Sequence, residues 1–347
     1  MGRNTGSGVP TDEPVARQPI FWADTSVAAV VAPAPSGPEH QPVPLHSVAE
    51  LAEEFGDVAD SPLGRAVADL LGNGGKVVLA LRAEDGAAAL AALEQAPSFQ
   101  LLVVDPALLD GRHAEAHALC ERRRAFLVAD ALPGGAMPAG LGANAAVYHP
   151  PLLGADGTEH PAAPSVAGVY ARTDAARGVW KHPAGSAAQV VGAVDVAQRL
   201  TEREMATLGT RQVNALRPMP DGSLVVWGAR TAASDPDRKY VAVQRLILFL
   251  EESLHQGLPW AVQEPNDEEL QATICSDVHA FLWRLWHEGA FPGTKAEEAF
   301  FVRCDATTSS PEELADGWLV CLVGVAPIRP GEFVTVRIPF ATAGPPG

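Results

Sequence analysis

Between Asp221 and Leu254 the hydrophobic pattern changes period once, and that change marks the centre of the chain. Asp221-Gly222 is a turn signal. Leu224-Val225-Val226-Trp227 is a continuous apolar run, β-branched and aromatic, and predicts a buried strand. Gly228 lets a neighbour approach closely, and Ser234-Asp235-Pro236-Asp237 predicts a loop. Beyond it Val243, Leu246, Ile247, Leu250 and Leu254 recur at i, i+3, i+4, i+7 and i+11, one stripe of a long helix.

The N-terminal half alternates the two periods. Thr25–Val31, Val77–Leu81, Leu101–Val104, Phe126–Ala129 and Ala143–Tyr148 predict strands. Helices are predicted over Val48–Phe55, with Ser47 and Glu50 as a capping box, and over Leu63–Leu71, Ala87–Gln95 and Arg112–Arg124. This alternation predicts a sheet with a parallel part covered by helices. Pro150–Pro164 reads as a loop, and Thr201 with Glu204 caps a short helix. Further on, Asn266 is the expected cap of a long helix with the stripe Leu270, Ile274, Val278, Phe281 and Leu285, ended by Gly289. Strands are predicted over Phe300–Cys304 and Trp318–Val325, with a short helix in the loop between them. Phe333–Ile338 alternates apolar and polar residues, as an edge strand does.

With 47% hydrophobic and 19% charged residues, the chain is globular. Its net charge of -17 disfavours nucleic acid and anionic membranes and suits a basic protein partner. There is no apolar leader near Met1 and no apolar run long enough to span a membrane. Cys120, Cys275, Cys304 and Cys321 lack metal-ligand spacing and are expected as reduced, buried thiols of a cytoplasmic protein.

Candidate chemistry is sparse. Gly72-Asn73-Gly74-Gly75-Lys76 joins a helix to a strand, the reverse of a phosphate loop. His113, His117 and Cys120 share one helix face without a HExxH order or a fourth ligand, and read as a solvated face with a half-buried thiol. Asp174 and Asp305 are placed in polar loops beside Arg172 and Arg303, as turn caps or ion-pair partners. Arg230 reads as a structural ion-pair or stacking group. No catalytic, cofactor or metal residue is assigned.

Ordered blocks of sequence carry a resemblance. Val225-Val226-Trp227-Gly228-Ala229-Arg230-Thr231 followed by Tyr240-Val241-Ala242-Val243-Gln244-Arg245 is one. Pro164–Asp174 followed by Arg177–Gly185 is another, and Val213-Asn214-Ala215-Leu216, Gly289-Ala290-Phe291, Phe301–Asp305 and Gly324–Pro327 continue in order. Together, over about Ile20 to Ile338, the chain resembles the tail sheath family of contractile phages and phage-tail-like contractile injection systems. The family's N-terminal Pro-Gly-Val-Tyr segment has at best a remnant in Gly8-Val9-Pro10, and the chain is short for the family.

The resemblance implies an α/β (α+β mixed) fold, a core of mixed sheets flanked by helices, in two domains with extended arms. The expected organisation is an arm over 1–19, an outer domain over 20–200, an inner tube-facing domain over 201–338 and a tail over 339–347. It implies a structural subunit, without enzyme activity or cofactor, that polymerises with itself around an inner tube and contracts to drive the tube through an envelope. Tube, baseplate and terminal cap proteins are the implied partners, with no nucleic acid or membrane insertion. Assembly is implied in the cytoplasm, as a virion or released particle. Glu312, Glu313 and Asp316 are the candidate tube contact. Phe333, Val334, Thr335, Val336, Arg337 and Ile338 are the candidate inter-subunit strand, an edge strand in a family whose arms add strands to their neighbours' sheets. The alternative is a sheath-derived accessory protein that binds a sheath or tube end without polymerising.

Overall fold

A computed structural model describes residues 19–343 apart from Ala306; the expected N-terminal arm through residue 18 and the last four residues lie outside the described part. The chain opens with β1 (Ala28–Ala32), β2 (Val43–Leu45), α1 (Val48–Phe55), α2 (Pro62–Gly72), β3 (Val78–Arg82), α3 (Gly86–Leu93) and β4 (Leu101–Val104). Next come α4 (Pro106–Leu109), α5 (His113–Arg122), β5 (Phe126–Asp130), β6 (Ala145–His149), β7 (Leu152–Leu153), β8 (Glu159–His160) and α6 (Ala163–Arg177). The middle holds β9 (Gln189–Val190), β10 (Asp195–Val196), α7 (Glu202–Thr210), β11 (Val213–Pro218), β12 (Leu224–Val226) and α8 (Val241–Gly257). The C-terminal part is α9 (Glu268–His287), α10 (Ala296–Ala299), β13 (Phe300–Arg303), α11 (Pro311–Ala315), β14 (Trp318–Val325) and β15 (Val334–Ala341).

A nine-stranded sheet has the order β2-β3-β1-β4-β5-β6-β11-β12-β9. Its centre, from β3 to β11, is parallel, and β2, β12 and β9 pair antiparallel at the two ends. The alternation along β1 shows why both faces are covered. Ala28, Val30 and Ala32 pack with Leu63, Val67 and Tyr170 of α2 and α6. Ala29 and Val31 pack on the other face with Leu90 and Leu119 of α3 and α5. The mixed α/β architecture expected from the sequence is the one observed.

A further core forms around α8, α9 and the antiparallel sheet β13-β14-β15. Helix α8 belongs to both cores. Val241 and Leu248 enter the core of the large sheet, whereas the expected stripe Val243, Leu246, Ile247, Leu250 and Leu254 enters the second. Residues Ile20 to Thr25 lie across α8 and α9. Ala23 N–H donates to Ser253 Oγ at 3.0 Å and Arg284 donates to the Ile20 carbonyl.

Helix α6 is the main element the hydrophobic pattern hides. Ala163 through Ala171 are all buried, so no polar stripe breaks the run. It packs on α2 at backbone distance, because a Cβ on Gly168 would lie 2.4 Å from the Leu70 carbonyl oxygen and 2.6 Å from Asn73 Cβ. Gly168→Ala is therefore expected to destabilise the chain by about 1–3 kcal/mol through overpacking, read as a lower thermal midpoint. A variant as stable as the parent would contradict this close approach.

Smaller differences have local reasons. The cap of α9 is Asp267, whose carboxylate accepts from Leu270 N–H at 2.8 Å, whereas Asn266 is fully buried and accepts from Gln271. β15 continues past Ile338 to Ala341. Cys120, Cys304 and Cys321 are buried and Cys275 is half-buried, all as free thiols. His113 and His117 turn inward beside Cys120 rather than forming a solvated face.

Candidate assembly surfaces

The motif blocks converge on a buried polar junction. Asp174, expected in a loop beside Arg172, instead sits on α6, and its partner is Arg245 of α8. Nη1 and Nη2 of Arg245 grip the two carboxylate oxygens at 2.9 and 2.7 Å, and Nη2 also reaches the Thr25 carbonyl at 3.0 Å. The side chains are 4% and 5% exposed. The guanidinium also lies 5.0 Å from the Tyr170 ring centroid, and the Tyr170 hydroxyl meets that of Tyr148. One ion pair thus ties the entering strap, α6 and α8.

The segment after β12 is fixed in the same way. Asn214 on β11 accepts from Arg230 N–H at 2.7 Å and donates to the Arg230 carbonyl at 2.8 Å. Gly228 makes this possible, since a Cβ there would lie 2.7 Å from Asn214 Oδ1. Among the described residues the Arg230 side chain has neither the ion pair nor the stacking partner expected; it donates to the Gly209 carbonyl at the end of α7. Asp305 does cap a turn, accepting from Thr307 N–H at 2.7 Å. These groups satisfy one another, as buried polar groups must, and no described group of three or more His, Cys, Asp or Glu side chains has the arrangement of a metal site.

The surface features lie on the C-terminal sheet. β15 pairs with β14 over eight residues, and its other edge is unpaired among the described residues. Val320 N–H bonds Ser309 Oγ at 2.8 Å and its carbonyl accepts from Thr308 at 2.6 Å, so the Val320 backbone faces away from β15. Its partner on β15 is Pro339, which has no N–H. Backbone direction alternates along a strand. Thr335, Arg337 and Pro339 therefore turn their backbone groups to the open edge, while Val336 and Ile338 turn theirs to β14.

Beside this strand, α11 carries the candidate acidic residues. Glu312 and Asp316 are exposed. Glu313 is engaged twice, in a capping box with Ser310 and with Arg337 at 2.9 and 3.0 Å. An open hollow is lined by Ser310, Glu312, Glu313, Asp316, Trp318 and Pro339, with Trp318 42% exposed.

Comparison with known proteins decides the family. The family model of the phage tail sheath protein central domain matches residues 82–232, and that of the phage tail sheath C-terminal domain matches 233–341. The chain belongs to the phage tail sheath family. This sheath protein is similar to the anti-feeding prophage helical sheath in its contracted state, at 30% identity and TM-score 0.79, over 96% of this chain and 99% of that one. It is equally similar to a chain in the anti-feeding prophage baseplate structure, at 30% identity and TM-score 0.79, over 96% and 98%. The tail sheath protein of Enterobacteria phage T4 is 23% identical over 191 residues, which span 53% of this chain and 27% of that one. Among the described residues of this sheath protein, no helix is long and apolar enough to cross a membrane.

Proposed function

We propose that this chain is a structural subunit of a contractile sheath, polymerising around an inner tube and contracting to drive the tube through a target envelope. The observation that carries the reading is the end-to-end similarity to the anti-feeding prophage helical sheath, in sequence as well as fold. The subunit works by assembly geometry, without catalysis or cofactor. Its partners are further copies of itself, a tube protein, and baseplate and cap proteins; assembly takes place in the cytoplasm before the particle is released. The unit built on α8, α9 and β13–β15 faces the tube. The open edge of β15 takes a strand from a neighbour, since its outward backbone groups are ready for pairing.

Co-expression with the tube protein and negative-stain microscopy tests this. Hollow, ridged cylinders of uniform width are expected. Small oligomers alone, even with tube protein present, would favour the second reading, an accessory subunit at a sheath or tube end. That reading draws on the equal similarity to a chain in a baseplate structure.

Tube contact is assigned to α11. The chain is acidic overall, at -17, and Glu312 and Asp316 border an exposed tryptophan, which suits a basic tube exterior. Glu313 contributes less, being held by Arg337. Combined Glu312→Lys and Asp316→Lys is expected to abolish co-sedimentation with the tube while the isolated subunit melts as before. Undiminished co-sedimentation would remove α11 from the interface.

A further inference from the structure

Strand order in the large sheet reverses at β1. The chain leaves β1 for β3 on one side, and leaves β3 for β4 on the other. At such a switch point the connections part, and a crevice opens outside the carboxyl ends of the strands, where open α/β sheets bind small ligands. Here it is a cavity of about 200 Å³, bounded by the ends of β1 and β4, by α2 and by β8.

Its chemistry selects the ligand. Val31, Val104, Pro106 and Pro164 give apolar walls. The charged groups are the carboxylates of Asp69, Asp105 and Glu159 against Arg65 and His160. Several of these are already engaged. Asp105 accepts from Ala107 N–H at 2.9 Å, Arg65 donates to the Asp60 carbonyl at 2.8 Å, and His160 Nε2 bonds Thr158 at 2.9 Å. Neither Asp69 nor Glu159 takes a side-chain hydrogen bond from a described residue, but Glu159 is exposed whereas Asp69 is half-buried. Burial raises its pKa against the pull of His160 and Arg65. A half-buried carboxylate without a donor is served best by a charged donor, which supplies both the hydrogen bond and the opposite charge.

We propose that the crevice at the carboxyl ends of β1 and β4 binds a small organic amine, its ammonium on the Asp69 carboxylate and its apolar body against the valines and prolines. The cavity is smaller than the roughly 300 Å³ at which drug-sized sites begin, so a single ring with an aminomethyl group matches its size. Anions are disfavoured by the excess of carboxylates. The site lies in the large sheet and does not depend on the assembly reading.

Isothermal titration of the full chain with benzylamine, and with benzyl alcohol as its neutral counterpart, is the test. Saturable millimolar binding of the amine is expected, with the alcohol about tenfold weaker or more. Asp69→Asn should weaken the amine by a similar factor without moving the melting temperature of the unliganded chain. Ala66→Leu, which fills the crevice from the same helix, should abolish binding and serves if the asparagine variant folds poorly. Absence of saturable binding to the parent chain would overturn the proposal. Equal affinity for the alcohol, or binding that survives both substitutions, would overturn it as well.

Discussion

Arg245→Met is expected to lower the stability of the subunit by about 3–5 kcal/mol, the usual cost of removing one partner from a buried ion pair. The loss comes less from the vanished attraction than from what remains. Asp174 would stay on α6, 5% exposed in the parent, with no cation to offset its desolvation. The Thr25 carbonyl would lose its donor, and the strap over α8 would lose that anchor. Urea unfolding measures the effect. Asp174→Leu in the same chain should recover most of it, because an apolar pair of similar volume tolerates burial.

The pH dependence has a definite sign. Burial pushes the Asp174 carboxyl up and Arg245 pulls it down. Burial already outweighs that pull and holds the folded-state value above the unfolded one; without Arg245 it rises further, so the folded variant takes up its proton at a higher pH than the parent. Its stability deficit is then largest near neutral pH and shrinks as pH falls toward the ordinary carboxylate range. A deficit under about 1 kcal/mol, within the range of an exposed pair, would show that the junction is not a clamp. So would a double variant no better than the single one.

That pair also marks how far the sequence could be read. Strands buried on both faces and helices with one apolar stripe were legible, because the period of the pattern is set by the geometry of the element itself. Helix α6 was not, since it is buried along its whole first half and has no polar face to set a period. With α6 unrecognised, Asp174 fell into an imagined loop, and a partner 71 residues away could not be inferred from local spacing. The end of β15 was obscured differently. Residues 339–347 were expected as a tail, yet Pro339 lies within β15, where the backbone faces outward and no ladder bond is lost. The surface residues of α11 were legible as an acidic turn, whereas the bond from Arg337 to Glu313 crosses to another element. Family membership was readable because it rests on the order of short blocks, which needs no knowledge of contacts.

Thr335→Pro is expected to prevent cylinder formation while leaving the subunit folded. Thr335 turns its N–H to the open edge of β15, so proline there removes no bond to β14 and only withdraws a donor from an incoming strand. Val336→Pro is the contrast. Val336 is buried and turns its backbone to β14, so proline there breaks the internal ladder and should destabilise the subunit itself by about 3 kcal/mol or more, the scale of a backbone hydrogen bond lost with a steric clash. Thermal melting separates the two variants, and negative-stain microscopy with the tube protein reads assembly. A Thr335→Pro subunit with the parent's melting temperature and no cylinders would assign the outer edge of β15 to strand exchange between neighbours. Full-length cylinders from that variant would show that the edge is not used, and would move the inter-subunit contact to another surface of the sheath.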